Sequence, residues 1–213
     1  MMISPSPCLL LLLALPLLVR GKDDLGKKGR GMCTLALLES EGDRKYRAAH
    51  LQGHFLIPRF CQTLSFYEYW KDERVSRRVR EMPIRELLTY ITASLKMGEK
   101  FLGGIEVVHF GHCRIHDRDI PMLLKIFDGD NDWSSLQEIH LNGNHLTDEG
   151  VKHFIGGLEK GRKRLSGMRE LHLDNNQIGH EGMKAVVDYA RNYHGFKHLH
   201  LSHNPAWSTS QND

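Results

Sequence analysis

The chain has no Asn-x-Ser/Thr acceptor, no Cys-x-x-Cys pair, no His-Glu-x-x-His and no nucleophile elbow. The common sequence marks of N-glycosylation, dithiol redox chemistry, zinc hydrolysis and serine hydrolysis are therefore missing. Charge of one sign is lacking too. Against 29 Lys and Arg stand 26 Asp and Glu in 213 residues, a net charge of +3 with histidine neutral. That field is too mild to recruit nucleic acid, and no nucleic-acid partner is expected. No apolar run reaches the roughly 20 residues that a bilayer-spanning helix needs. With 40% hydrophobic and 26% charged residues, the composition is that of an ordinary globular protein with a core of its own.

Cys8–Val19, CLLLLLALPLLV, is the longest apolar run, and small residues flank it before Lys22. Residues 1–21 read as a secretory signal peptide, which places the protein in the secretory pathway or outside the cell with no stable span after cleavage. No Lys or Arg precedes the run and Arg20 lies beside the cut, so a membrane anchor and a mitochondrial leader stand as alternatives. Removing Cys8 leaves Cys33, Cys61 and Cys113, an odd set that sits poorly with secretion.

Residues 22–83 read as a linker and accessory segment. Gly21–Lys28, GKDDLGKK, approaches the phosphate-binding loop, but Lys28 stands where that loop needs Ser or Thr, and Asp23 and Asp24 would repel phosphate. A flexible linker explains it better. Cys33–Leu38 and His54–Ile57 suit short strands or helical pieces. Phe60, Phe66, Tyr67, Tyr69 and Trp70 precede a basic run from Lys71 to Arg80. Such a run can hold RNA or acidic lipid. A solvated helix whose aromatics pack on the rest of the domain is the simpler expectation. After Pro83, the stripe Ile84, Leu87, Leu88, Ile91, Leu95 predicts a helix over Ile84–Lys100, ended by Gly103-Gly104 and placed to cap the segment C-terminal to it.

The strongest pattern is internal repetition. IEVVHFGHCRI (Ile105–Ile115), LQEIHLNGNHL (Leu136–Leu146), MRELHLDNNQI (Met168–Ile178) and FKHLHLSHNP (Phe196–Pro205) align without gaps, about 30 residues apart. In each, a short strand points alternate apolar residues inward: Val108 and Phe110, Ile139 and Leu141, Leu171 and Leu173, Leu199 and Leu201. Asn144, Asn176 and Asn204 then stand where the chain turns and can bond backbone groups left unpaired there. Cys113 holds that place in the first copy, which makes it a structural thiol despite its neighbours His112 and His116. Helices follow the first three strands. Their expected inner faces are Ile120, Leu123, Leu124 and Phe127; Val151, Phe154, Ile155 and Leu158; and Met183, Val186, Val187 and Ala190.

This pattern resembles the ribonuclease-inhibitor class of leucine-rich repeats, with Lys160–Arg164 as one insertion. The resemblance covers about Ile105 to Pro205. It implies an α/β fold: a short curved solenoid with a parallel sheet inside and helices outside, occupying residues 84–205 with the capping helix included. It also implies binding of another protein on the concave sheet face. Catalysis and a cofactor are not expected. Residues 206–213 form a polar tail. No amphipathic helix follows the fourth strand, so either Trp207 folds back as a lid or the C-terminal repeat self-associates.

On the concave face the side chains are Val107, His109 and Gly111; Glu138, His140 and Asn142; Glu170, His172 and Asp174; and His198, His200 and Ser202. His109, His140, His172 and His200 share one column, about 4.8 Å from strand to strand. The ladder can be a structural stack, a partner-binding patch whose affinity changes between about pH 5 and 7, or a metal site with Glu138, Glu170 or Asp174. The expected partner-binding residues are Glu138, His140, Asn142, Glu170, His172, Asp174, His198 and His200. Metal binding on the same face is the alternative.

Overall fold

A computed structural model describes residues 31–36, 38, 61–97, 104–128, 131–193 and 195–207. The apolar run at 1–21, the linker at 22–30, His54–Ile57 and the tail beyond 207 lie outside them. Six strands, β1 (Met32–Thr34), β2 (Thr63–Ser65), β3 (Val107–His109), β4 (Glu138–His140), β5 (Glu170–His172) and β6 (His198–His200), form one parallel sheet in chain order. The register is continuous: Cys33, Leu64, Val108, Ile139, Leu171 and Leu199 are partners in turn. The first five of these residues are fully buried, and together they form the spine of the core.

The sheet is two strands longer than the repeat pattern announced. β1 and β2 lie in the segment read as linker and accessory. They bring the inward residues Cys33 and Leu35, then Leu64 and Phe66, all buried. Tyr69 takes the position of Cys113 and Asn144, and its hydroxyl donates to the Met82 carbonyl at 2.9 Å. The helix Ile84–Met97, here α2 after the short α1 (Arg77–Arg80), is therefore an internal crossover and not an end cap. It lies between β2 and β3 and packs on α3 (Ile120–Phe127). Lys71–Ser76 is a series of turns in place of the expected solvated helix, although Phe66 and Tyr69 pack inward as anticipated.

Outside the sheet α3, α4 (Asp148–Lys160) and α5 (His180–Asn192) follow in order, each against the next. Val151, Phe154, Ile155 and Leu158 are all buried in α4, as the pattern predicts. The other two helices are rotated from expectation. Ile126 is buried in α3 where Leu124 is only half-buried, and Tyr189 in α5 is buried where Val187 and Ala190 are half-buried. The larger aromatic offers more apolar area to the core and turns the helix toward itself.

The asparagines bond the turns as their positions suggest. Asn144 Oδ1 accepts from the Cys113 and Ile115 amides at 3.1 and 3.0 Å, and its Nδ2 donates to the Phe110 and Leu141 carbonyls, both at 2.9 Å. Asn176 and Asn204 repeat this one and two units on. Cys113 contributes a thiol that donates to the Phe66 carbonyl at 2.9 Å, and burial pushes its pKa up. Each turn residue thus ties its unit to the one before it. At the other end, a 3₁₀ turn over Pro205–Trp207 follows β6, and its Ala206 amide reaches the Ile178 carbonyl at 3.2 Å.

Candidate functional site

Short strands in register are what make the concave face chemically uniform. Because Val107, Glu138, Glu170 and His198 align, so do His109, His140, His172 and His200 two residues on. The four imidazoles form a continuous stack. Centroids are 4.5 Å apart for His109–His140, 3.9 Å for His140–His172 and 4.0 Å for His172–His200, with interplanar angles of 14°, 9° and 5°. Tyr67 ends the stack edge-on to His109 at 5.1 Å. The column continues as Ser65 and Thr34, so the aromatic part stops at β3.

Carboxylates flank the stack. His140 Nε2 donates to Glu138 Oε2 at 3.1 Å, which holds the Glu138 carboxyl below the usual range. Glu170 lies 3.8 Å from His172 Nε2 and 3.9 Å from His198 Nε2, beyond hydrogen-bond reach. Asp174 is already engaged by the Ser202 amide and hydroxyl at 3.1 and 2.8 Å. Among the described residues, two buried polar atoms on this face have no hydrogen-bond partner, Asn142 Oδ1 and His172 Nε2. A Cβ at Gly111 would stand 2.6 Å from the His109 ring and 2.8 Å from Asn142 Oδ1, so only glycine lets both side chains lie there.

Burial sets the protonation of two rings of the stack, His109 and His172. His109, 8% exposed, is pushed down to about 3, chiefly by loss of water and then by His140, His172 and His112. His172 is lowered to about 4 by burial, His140 and His200. On His172 the carboxylates of Asp174 and Glu138 act the other way, but loss of water and the neighbouring rings outweigh them. These two histidines therefore stay neutral across pH 5 to 7.

All eight residues expected to bind a partner lie on this one face, although His198 stands apart from the stack, 6.5 Å from His200. The expectation missed the wall beside them. The turns after β2 overhang the sheet and enclose a groove of about 760 Å³, bordered by Tyr67, Glu68, Asp72 and Arg74 and floored by His109, His140 and Asn142. Tyr67 is 42% exposed. The wall is braced by Trp70, whose indole donates to the His112 carbonyl at 3.0 Å and which lies under the Arg114 guanidinium at 3.8 Å. The aromatic run Phe60–Trp70 was the available signal, but nothing local told which of its rings turn inward.

The side chains of His112–His116 do not converge on a common site. Cys113 points to the core, His112 sits edge-on to Tyr67, and His116 leans on His145 with centroids 4.7 Å apart.

A family model described as Leucine Rich repeat matches residues 134–154 and 168–187, the units built on β4 and β5. The chain carries leucine-rich repeats. No curated protein matches it. Among solved structures, the leucine-rich-repeat chain is similar to the tropomodulin C-terminal domain of Caenorhabditis elegans, with 17% identity over 66% of this chain and 73% of that one and a TM-score of 0.44. It is also similar to leiomodin-1 actin-binding site 2, with 14% identity over 66% of this chain and 69% of that one and a TM-score of 0.47. No helix among the described residues is long and apolar enough to cross a membrane.

Proposed function

We propose that this leucine-rich-repeat array, of the ribonuclease-inhibitor type, is a protein-recognition module that seats its partner in the concave groove. The observation that carries the reading is the groove itself. It combines an exposed tyrosine, a floor of flat rings and a buried amide oxygen, Asn142 Oδ1, without a partner. Aromatic rings beside charged side chains such as Glu68, Asp72 and Arg74 give a concave site both an anchor and a polar rim, and a buried orphan acceptor gains a hydrogen bond only when a donor arrives. Glu138, His140, Asn142, Glu170, His172, Asp174, His198 and His200 make up the contact surface, with Tyr67 added.

Replacing His140 and His172 together by Ala is expected to abolish partner capture in affinity purification while circular dichroism is unchanged. Lys152→Ala on the outer helices serves as control and leaves capture intact. Capture that survives the double change sinks the concave-face reading.

The secretory compartment is proposed on separate grounds. Cys33 and Cys61 are joined in a disulfide with Cα atoms 5.7 Å apart, and Cys113 is buried and free, which accounts for the odd set. Disulfides persist in oxidising compartments. Protein recovered from its native source and alkylated before reduction is expected to show one modifiable thiol, Cys113, only after denaturation; free thiols at Cys33 and Cys61 would overturn the placement.

A further inference from the structure

We propose that the concave face binds one divalent transition-metal ion, zinc by preference, through two overlapping donor sets that share His172. The strands Glu138-Ile139-His140 and Glu170-Leu171-His172 pair in register, so Glu138 adjoins Glu170 and His140 adjoins His172. β6 adds His198 and His200 in the same two columns. Six side chains able to ligate a metal thus fill a grid two wide and three long. One oxygen of Glu138 and one ring nitrogen each of His140 and His172 lie within 4.8 Å of one another, and the same holds for Glu170, His172 and His200.

A column of stacked rings alone aims its nitrogens side by side. The second column removes that difficulty, because Glu138 and Glu170, two residues before His140 and His172, reach the same space from a different direction. A second observation marks His172. Its Nε2 is shut off from water and has no hydrogen-bond partner among the described residues. That is a cost the fold bears without any return from the protein itself. An ion at this point would satisfy it.

The donors choose the metal. Two imidazoles and one carboxylate suit zinc, cobalt, nickel or copper, whereas calcium and magnesium want oxygen alone. Three protein ligands leave a fourth position open for water or a partner's side chain. Binding draws the donor atoms to roughly 3.3 Å apart, as bonds of about 2.0 Å in a tetrahedron require, so the rings must tilt out of their stack. Because both sets need His172, occupying one closes the other.

The test uses the full chain without an affinity tag, titrated with zinc chloride by calorimetry and with cobalt by visible absorption. One ion per chain is expected, with cobalt bands of a low-coordinate site. His172→Phe keeps a flat ring in the stack and removes the nitrogen; it is expected to weaken zinc binding by more than about tenfold. Glu138→Gln and Glu170→Gln each weaken it less, since the other set remains. His116→Phe, in the separate His116–His145 pair, changes nothing. In the unaltered protein, the His172 ring nitrogen must shift in NMR spectra on adding zinc, a readout that does not depend on a variant folding. A dissociation constant above about 1 mM, two equivalent ions, undiminished binding in His172→Phe, or an unmoved His172 resonance would each overturn the site. No partner is needed for these measurements. Tyr67→Ala, which alters the groove wall and no donor, separates the two readings by weakening partner capture and leaving zinc binding as it was.

Discussion

At the scale of single residues, the cost of the ladder is set by His109. Its ring faces Tyr67, His112 and His140, and it takes up a proton only near pH 3. In the unfolded chain the same ring protonates near pH 6.5. Below 6.5 the unfolded state therefore binds a proton that the folded state refuses, and stability falls as pH falls until about 3. His172 adds a like term that ends near 4. Between pH 6.5 and 4.5 carboxylates contribute little, so urea denaturation there isolates the histidines. Each ring is expected to add a slope approaching 1.4 kcal/mol per pH unit, roughly. His109→Phe keeps the stack and removes one titration, so its stability should fall less steeply over that window. An unchanged slope would mean that His109 is protonated in the fold.

At the scale of elements, the units are stitched by side chains that serve the next helix. α5 begins after Gly179, which has no capping side chain. Asp148, the first residue of α4, supplies the cap across the repeat: its Oδ1 accepts from the Gly179 amide at 2.6 Å and the Gly182 amide at 2.9 Å. A Cβ at Gly182 would stand 2.5 Å from that oxygen, which is why glycine stands in the first turn of the helix. Asp117 does the same for the Thr147 amide, one unit earlier, at 2.9 Å. Asp148→Ala is expected to cost about 1–2 kcal/mol, and Asp148→Asn less, because the amide oxygen still accepts. Hydrogen exchange locates the loss: amides at the start of α5 should lose protection before those of α4. A uniform loss across the chain would contradict a cap local to that junction.

For the whole molecule, the two ends of the sheet differ. β1 is tied to the segment before β2 by the Cys33–Cys61 disulfide. Beyond β6, no described strand takes up the outer edge, and Leu199 and Phe196 are only partly buried while His198 and His200 are exposed. An open edge with apolar neighbours favours pairing with another chain. Self-association through this end is expected to appear as a concentration-dependent mass in sedimentation, removed by Phe196→Asp. A mass that stays at one chain up to high concentration would leave the 3₁₀ turn at Pro205–Trp207 as the cover.

The repeats on β3 to β6 were legible because their information is local. Leu171, Leu173 and Asn176 sit at offsets that any strand-and-turn of this kind needs, and copies about 30 residues apart reinforce one another. The same locality puts all four histidines in one column, since alternation along a strand decides the face. β1 and β2 obey the rule as well, but Tyr69 replaces the asparagine and the long turn after Phe66 breaks the interval, so the period alone could not find them. What only the tertiary structure decided depends on contacts distant in sequence: the overhang that makes a groove of a flat face, the rotation of α5 that buries Tyr189, and the dehydration that holds His109 neutral. Burial is a property of the assembled neighbours, and no pattern within one strand carries it.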